Sequence, residues 1–271
     1  MVLSTLADAA FGTNPGLWPL PPAHGATELW LRAVAAGGQG RYAVARADLA
    51  ELRREDPPAR LASLALSTWA SFHRQLGWHW EAHRWDGEAL RVAGPGVGSD
   101  PESVVDALLG LAADALGVGR LAASAALLER AGEVLRRADN EKQPLRLAIR
   151  LAWVGAELAM AAGNGATALG HARRGVELAE RATPLLQRHR IKSDVVLAAA
   201  LCSAGDVRGS RSVADAALAD TRTWGLMPLR WALACLLADI GSAAHTGTEI
   251  AEIRARCAAV VTRNGGRWHS G

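Results

Sequence analysis

Apolar residues recur along this chain three or four positions apart, in blocks of about 13 to 19 residues parted by short turns that hold a glycine. That period, in place of the two-residue alternation of a half-buried strand, predicts α-helices. Six turn glycines mark the blocks: Gly40, Gly77, Gly119, Gly163, Gly205 and Gly241, spaced 37, 42, 44, 42 and 36 residues apart. The surrounding pattern repeats. Seven residues before each glycine stands an alanine: Ala33, Ala70, Ala112, Ala156, Ala198 and Ala234. Five residues after it stand Ala45, Ala82, Ser124, Ala168, Ser210 and Thr246. Twelve after stand Leu52, Ala89, Ala131, Gly175, Ala217 and Ile253. Small residues at matched offsets let two antiparallel helices joined by a tight turn approach closely.

The repeat predicts twelve helices in six hairpins: 26–38 with 41–55, 60–75 with 78–92, 101–116 with 120–138, 144–161 with 165–180, 185–203 with 207–223, and 227–240 with 248–263. One hairpin cannot bury its apolar face alone, so stacking neighbours must supply the core. This divides the chain into a proline-rich leader (1–25), a repeat domain (26–263) and a short tail (264–271). Asp100 or Ser99 is expected to cap the helix beginning at Pro101. The stretches 94–100 and 137–144 are the expected joints. The leader segment Gly12–Pro22 has three readings: an unstructured arm, a cover over the first hairpin with Trp18 buried, or a plug in the protein's own groove. At the other end, Gly265 or Gly266 stops the last helix, and Trp268 is expected to close the last hairpin.

Composition narrows the class. Alanine occurs 57 times, while Phe and Tyr together occur three times. Alanine favours helices and aromatic residues favour strands, so the chain is expected to be all-α. Half the residues are hydrophobic and 21% are charged, which excludes disorder. No apolar run is long enough to span a bilayer, and the first ten residues lack the basic start of a secretory signal. The expected location is the cytoplasm. Arginine outnumbers lysine 28 to 2, as in a GC-rich, for example actinobacterial, genome. The net charge of +3 is too small to point to nucleic acid. Cys202, Cys235 and Cys257 are odd in number and set in apolar stretches, as reduced core residues are.

The repeat resembles the tetratricopeptide (TPR) family. The first unit carries the likeness best, with Ala33, Gly40-Arg-Tyr42, Ala45, Leu49 and Pro57; the second keeps Gly77, Ala82 and Ala89. The period is nearer 42 than the TPR value of about 34, and the large turn aromatic occurs only as Tyr42. The longer period and the segments Gly205-Asp-Val and Gly225-Leu-Met-Pro-Leu are similar to the helical arrays of MalT/LuxR-type bacterial regulators. The resemblance implies a right-handed TPR-like superhelical solenoid of about six hairpins. It also implies a concave face lined by the first helix of each pair, an interaction scaffold rather than an enzyme, and no cofactor.

Ten residues before the glycines stand Trp30, Trp153 and Trp231, three of the ten tryptophans. Arg74, Arg150, Glu157 and Lys192 join them at neighbouring offsets on one helical face. As a groove, these seven residues would bind an acidic and apolar segment of another protein. As core, the tryptophans would seal adjacent hairpins. A terminal hairpin left exposed could also stack on a second copy.

The segment 69–85 offers an alternative: a small-molecule sensor pocket lined by Trp78, His79, Trp80, His83 and Trp85. His79 and His83 lie one helical turn apart, a zinc-compatible spacing, yet His79 occupies the place of Tyr42 and reads as a packing residue, so no metal is expected. Gly163–Gly170 mimics a phosphate loop without the strand such a loop follows. Arg53-Arg54, Arg136-Arg137, Arg173-Arg174 and Arg188–Lys192 are interrupted by acids, so nucleic acid is not an expected partner.

Overall fold

The computed structural model describes residues 1–94, 100–138 and 144–269, and among these it contains thirteen helices and no strand. They are α1 (Val2–Phe11), α2 (Ala26–Gly38), α3 (Tyr42–Arg54), α4 (Ala59–Gln75), α5 (His79–Ala93), α6 (Pro101–Gly117), α7 (Leu121–Arg137), α8 (Leu145–Ala161), α9 (Gly165–Glu180), α10 (Gln187–Ser203), α11 (Val207–Thr223), α12 (Met227–Ile240) and α13 (Gly247–Arg263). The twelve repeat helices pair as six hairpins, α2 with α3 through α12 with α13. Each first helix also touches the next first helix, in the order α2, α4, α6, α8, α10, α12. Successive second helices make no comparable contact. First helices therefore form the tight inner row and second helices the splayed outer row of a TPR-like solenoid.

The small-residue columns explain the closeness. All six alanines seven before the glycines are fully buried, as are Ala45, Ala82, Ser124, Ala168 and Ser210. Ser210 Oγ donates across its hairpin to the Ala198 carbonyl at 2.7 Å. The six marker glycines all adopt φ between 73° and 89°, a conformation an L-residue takes only under strain. Tyr42, two residues past its glycine, packs on Phe72 and donates to Gln75, both on the next first helix. His79 meets Gly117 at the corresponding place, and Gly165 meets Ser203 and Ala204. This position thus seals adjacent hairpins, not the two helices of one hairpin.

Three features depart from the expected pattern. First, the leader contains α1, whose Val2, Leu6, Ala9 and Ala10 share one face and pack with α2. Trp18 is 41% exposed, with the Arg41 guanidinium 3.6 Å from its ring centroid, so it is not a buried cover. Second, the last turn is longer, and Thr246 forms a capping box with Glu249 at the start of α13. Ile250 and Cys257 are buried there, four residues beyond the expected Thr246 and Ile253. Third, the array closes on itself. A Cβ on Gly40 would meet Val261, Pro228 and Met227 of the last hairpin at 3.2 to 3.5 Å. Tail carbonyls of Asn264, Gly265 and Arg267 accept from Ala43 N–H, Arg46 and Trp78 Nε1, and His269 N–H donates to Leu76. Asp100 caps α6 by accepting from Ser103 N–H at 2.8 Å; Ser99 and most of both expected joints lie outside the described residues.

Candidate functional site

The inner row carries an ionic ladder built by the repeat itself. Arg60, Glu102, Arg146 and Arg188 each stand 17 residues before a turn glycine, on four successive first helices. Arg60 pairs with Glu102, and Arg146 Nη2 donates to Glu102 at 2.7 Å. One turn further along, Arg146 and Arg150 both bind Asp106. Burial opposes ionisation of Glu102, but Arg146 and Arg60 outweigh it and hold its carboxyl below the usual range.

Among the described residues the last rung has no acid. Among the described residues Arg188 makes one polar contact, from Nη2 to the Ala10 carbonyl of α1 at 3.3 Å. Burial, and then Arg146, lower its proton affinity to about 10. Burial, and then Arg74, do the same to Arg150. Both remain cations at neutral pH. His189, beside them, is kept neutral by burial and by Arg188, Arg146 and Arg150.

Phe11, the last residue of α1, sits in this electropositive centre. Its ring lies 5.4 Å from Trp30 and 6.2 Å from His189, with the Arg146 guanidinium 5.1 Å from its centroid. Gln187, at the N-terminus of α10, donates its N–H to the Gly12 carbonyl at 3.0 Å. A cleft of about 540 Å³ opens beside Phe11, lined among others by Trp30, Glu102, Arg146, Arg181 and Leu186.

A second cluster joins α4, α5 and α6. Arg74 Nη1 donates to Asp86 at 2.8 Å, to Asp114 at 2.5 Å and to the Gly110 carbonyl at 3.1 Å. Two buried carboxylates thus share one guanidinium, and Asp86 Oδ1 and Asp114 Oδ2 lack partners. Burial, partly offset by Arg74 and reinforced by Asp114, pushes the Asp86 carboxyl up to about 7. Arg74 also lines a cleft of about 420 Å³ with Trp231, Trp268 and His269.

The seven groove candidates thus share the inner row in different surroundings. Trp30 is 7% exposed; its Nε1 donates to Thr68 on the next first helix and its face receives Phe11. Trp153 repeats the motif: its Nε1 donates to Ser193 on α10 at 2.9 Å, and its ring stacks on His189 at 5.4 Å. Trp231, with no seventh hairpin to meet, packs on Trp268 at 4.2 Å. Arg74 and Arg150 are tied to acids. Glu157 and Lys192 pair at 3.2 Å, each about one-third exposed. The groove columns reach no further than Arg150 and Lys192, thirteen residues before their glycines, so they miss Arg60, Glu102 and Arg146 and leave Arg188 as part of a basic run; one further helical turn finds all four.

The segment 69–85 does not gather its residues around one cavity. Trp78 packs on His269, and His79 on Gly117. Trp80 is 58% exposed beneath Arg120, His83 is exposed, and Trp85 lies against Trp69. Among the described residues no three His, Cys, Asp or Glu side chains cluster as a metal ion requires.

No protein-family model matches the chain, and no curated protein is similar to it. Solved structures are similar to it in fold. A putative kinesin light chain with nearly identical TPR-like repeats from Podosopora anserina is 21% identical, over 78% of this chain and 99% of that one, with a TM-score of 0.46. BtubC (BKLC) from P. vanneervenii is 16% identical, over 92% and 95% of the two chains, with a TM-score of 0.47.

Proposed function

We propose that this protein is a non-enzymatic, cytoplasmic regulatory scaffold that binds a segment of a partner protein along its concave inner row. The observation that carries the reading is the excess of guanidinium groups over carboxylates among the described residues of that row, Arg146, Arg150 and Arg188 against Glu102 and Asp106, around His189 and its stacking partner Trp153, with Trp30 lining the same cleft as Arg146. Arginine and tryptophan in desolvated pockets dominate protein-binding energetics. The supporting frame is rigid, since each tryptophan is held by a hydroxyl of the next helix. Binding therefore costs little ordering of the receptor. An acidic and apolar segment matches this chemistry. No helix among the described residues is long and apolar enough to cross a membrane.

A photo-crosslinking amino acid at position 157, on the inner row, tests the reading against one at position 129, on the outer surface of α7. A stoichiometric protein captured from 157 and not from 129, and lost with Lys192→Glu, supports it. Equal capture from both positions overturns it.

A further inference from the structure

We propose that α1 is an internal ligand of the concave face, displaced by a short helical segment of a protein partner that carries an aromatic residue beside a carboxylate. This rests on the concave-face reading above and names its partner chemistry and its regulation.

The first ground is what α1 lacks as a structural element. Only Leu6, Ala9 and Ala10 of its ten residues are buried, and Leu3 is 48% exposed. A helix needs about 12 to 15 residues to stand alone in water, so α1 persists only through this docking. It is tied to the repeat by residues 12–25, which hold four prolines and three glycines and form no helix. Gln39 holds the carbonyls of Pro15 and Leu17, which fixes the point where release would stop. Segments with few buried apolar contacts open first, well below global unfolding.

The second ground is what the receiving surface keeps without α1. Trp30 is held by Thr68, Arg146 by Glu102 and Asp106, and His189 by Trp153. These supports sit on the repeat helices, so the slot for an aromatic ring is preformed.

The third ground is charge. Three inner guanidiniums, Arg146, Arg150 and Arg188, face two carboxylates, Glu102 and Asp106, and Glu102 also serves Arg60. The ladder alternates in sign from Arg60 to Arg146 and then repeats a cation at Arg188. Into that gap α1 places only the dipole of the Ala10 carbonyl. A carboxylate there would make a charge-assisted bond about twice as strong as a neutral one. The Ala10 methyl group is itself buried against α2, so the carboxylate must stand near the carbonyl and not replace the methyl: the better ligand ends in a free α-carboxylate on its aromatic residue, one residue on from Ala10. The deficit makes α1 a weak competitor, which an internal ligand must be if a partner is to replace it.

The probe is a fluorescent peptide with the sequence of residues 1–17, added to the full-length protein. The receptors are the wild type and the variant Leu6→Asp/Phe11→Ala, whose own α1 is loosened. The peptide is expected to bind the variant at least about tenfold more tightly than the wild type. A peptide of residues 1–11 ending as the free acid should bind about threefold or more tightly than the same peptide ending as the amide, and Phe11→Ala in the peptide should weaken binding about tenfold. Arg188→Met in the loosened receptor should cancel the gain from the free carboxylate. Hydrogen exchange on the unmodified wild type guards against a misfolded variant. There the α1 amides should exchange far faster than those of α6, and faster still with excess free-acid peptide. Exchange of α1 only with α6, or equal weak binding to both receptors, overturns the proposal and makes α1 a permanent cap. If capture from position 157 persists in that case, the concave-face reading stands and only the displacement falls; if capture fails as well, both fall.

Discussion

Two ionic clusters on the inner row are mismatched in opposite senses. Around Arg74, one guanidinium serves two buried carboxylates, Asp86 and Asp114. Around Arg188, guanidiniums outnumber carboxylates. The first cluster can resolve its surplus alone, because a carboxyl pushed up to about 7 takes a proton near neutrality. The second cannot. Arg150 and Arg188, lowered only to about 10, stay charged at any physiological pH. The first cluster is therefore self-sufficient and holds α4, α5 and α6 together, while the second can be neutralised only by an anion from outside the repeat. Both draw their guanidiniums from first helices of the same array, so net sign and the chemistry of proton loss separate a structural cluster from a receptive one.

The largest effect that would break this comparison lies at Arg74. Arg74→Met leaves Asp86 and Asp114 buried without a cation, a change that typically costs about 3–5 kcal/mol. Denaturant unfolding at pH 8 should show that loss, and at pH 5 a clearly smaller one, since both carboxyls can then be protonated. An equal loss at both pH values would mean that Arg74 acts through packing and not through charge.

The next effect is the pH dependence of the wild type. Asp86 binds its proton more tightly in the folded chain, at about 7, than in the unfolded one, at 3.8. Its contribution is whole below about pH 4 and drains away as pH rises towards 7. Asp194, pushed up to about 6 by burial and then opposed by Arg190, acts in the same direction. Stability should thus fall by about 1–3 kcal/mol from pH 5 to pH 8. Asp86→Asn, which cannot titrate, should flatten most of that slope. An unchanged slope in the variant would move the titration elsewhere.

Much of the fold was legible in the sequence because the repeat writes it six times. The alanine column and the turn glycines specify close approach and a left-handed backbone, and neither has a second meaning in a helical chain. The last hairpin slipped because its turn is longer, and the glycine marker carries no information about turn length. Helix α1 was hidden by brevity: four apolar positions beside a proline-rich stretch give little periodicity to count. The candidate site was legible only as a face. Trp30, Trp153 and Trp231 fall on the inner row, but a groove and a seam both ask for a large ring there. Only contacts reveal that Thr68, Ser193 and Trp268 take their edges. The ladder needed an offset of 17, where the pairing between rungs, not the column's composition, carries the meaning.

The comparison is sharpened by a smaller effect at the receptive cluster. Arg188→Met removes a cation that has no carboxylate partner among the described residues, leaving an apolar chain of similar length. Replacing such a charge is neutral or mildly stabilising. The variant should lie within about 1 kcal/mol of wild type in the same unfolding experiment, against the large loss at Arg74. A loss as large as that at Arg74 would show that Arg188 is a structural member of the ladder and that its cluster is not receptive.

The smallest effect comes from inverting the exposed pair, Glu157→Lys/Lys192→Glu. These side chains are each about one-third exposed and meet at 3.2 Å, so water and salt screen them. Exposed pairs contribute about 0.2–1 kcal/mol, and inversion keeps the pair while reversing its order along the inner row. Thermal unfolding should therefore stay within about 0.5 kcal/mol of wild type. Partner capture by a crosslinking residue at position 160, further along α8, should nevertheless be lost, because the sign of each position changes for any segment laid along α8 and α10. A change in binding without a change in stability is what separates a contact residue from a packing residue. Arg74 cannot supply that separation, since it is built into a cluster that holds three helices together.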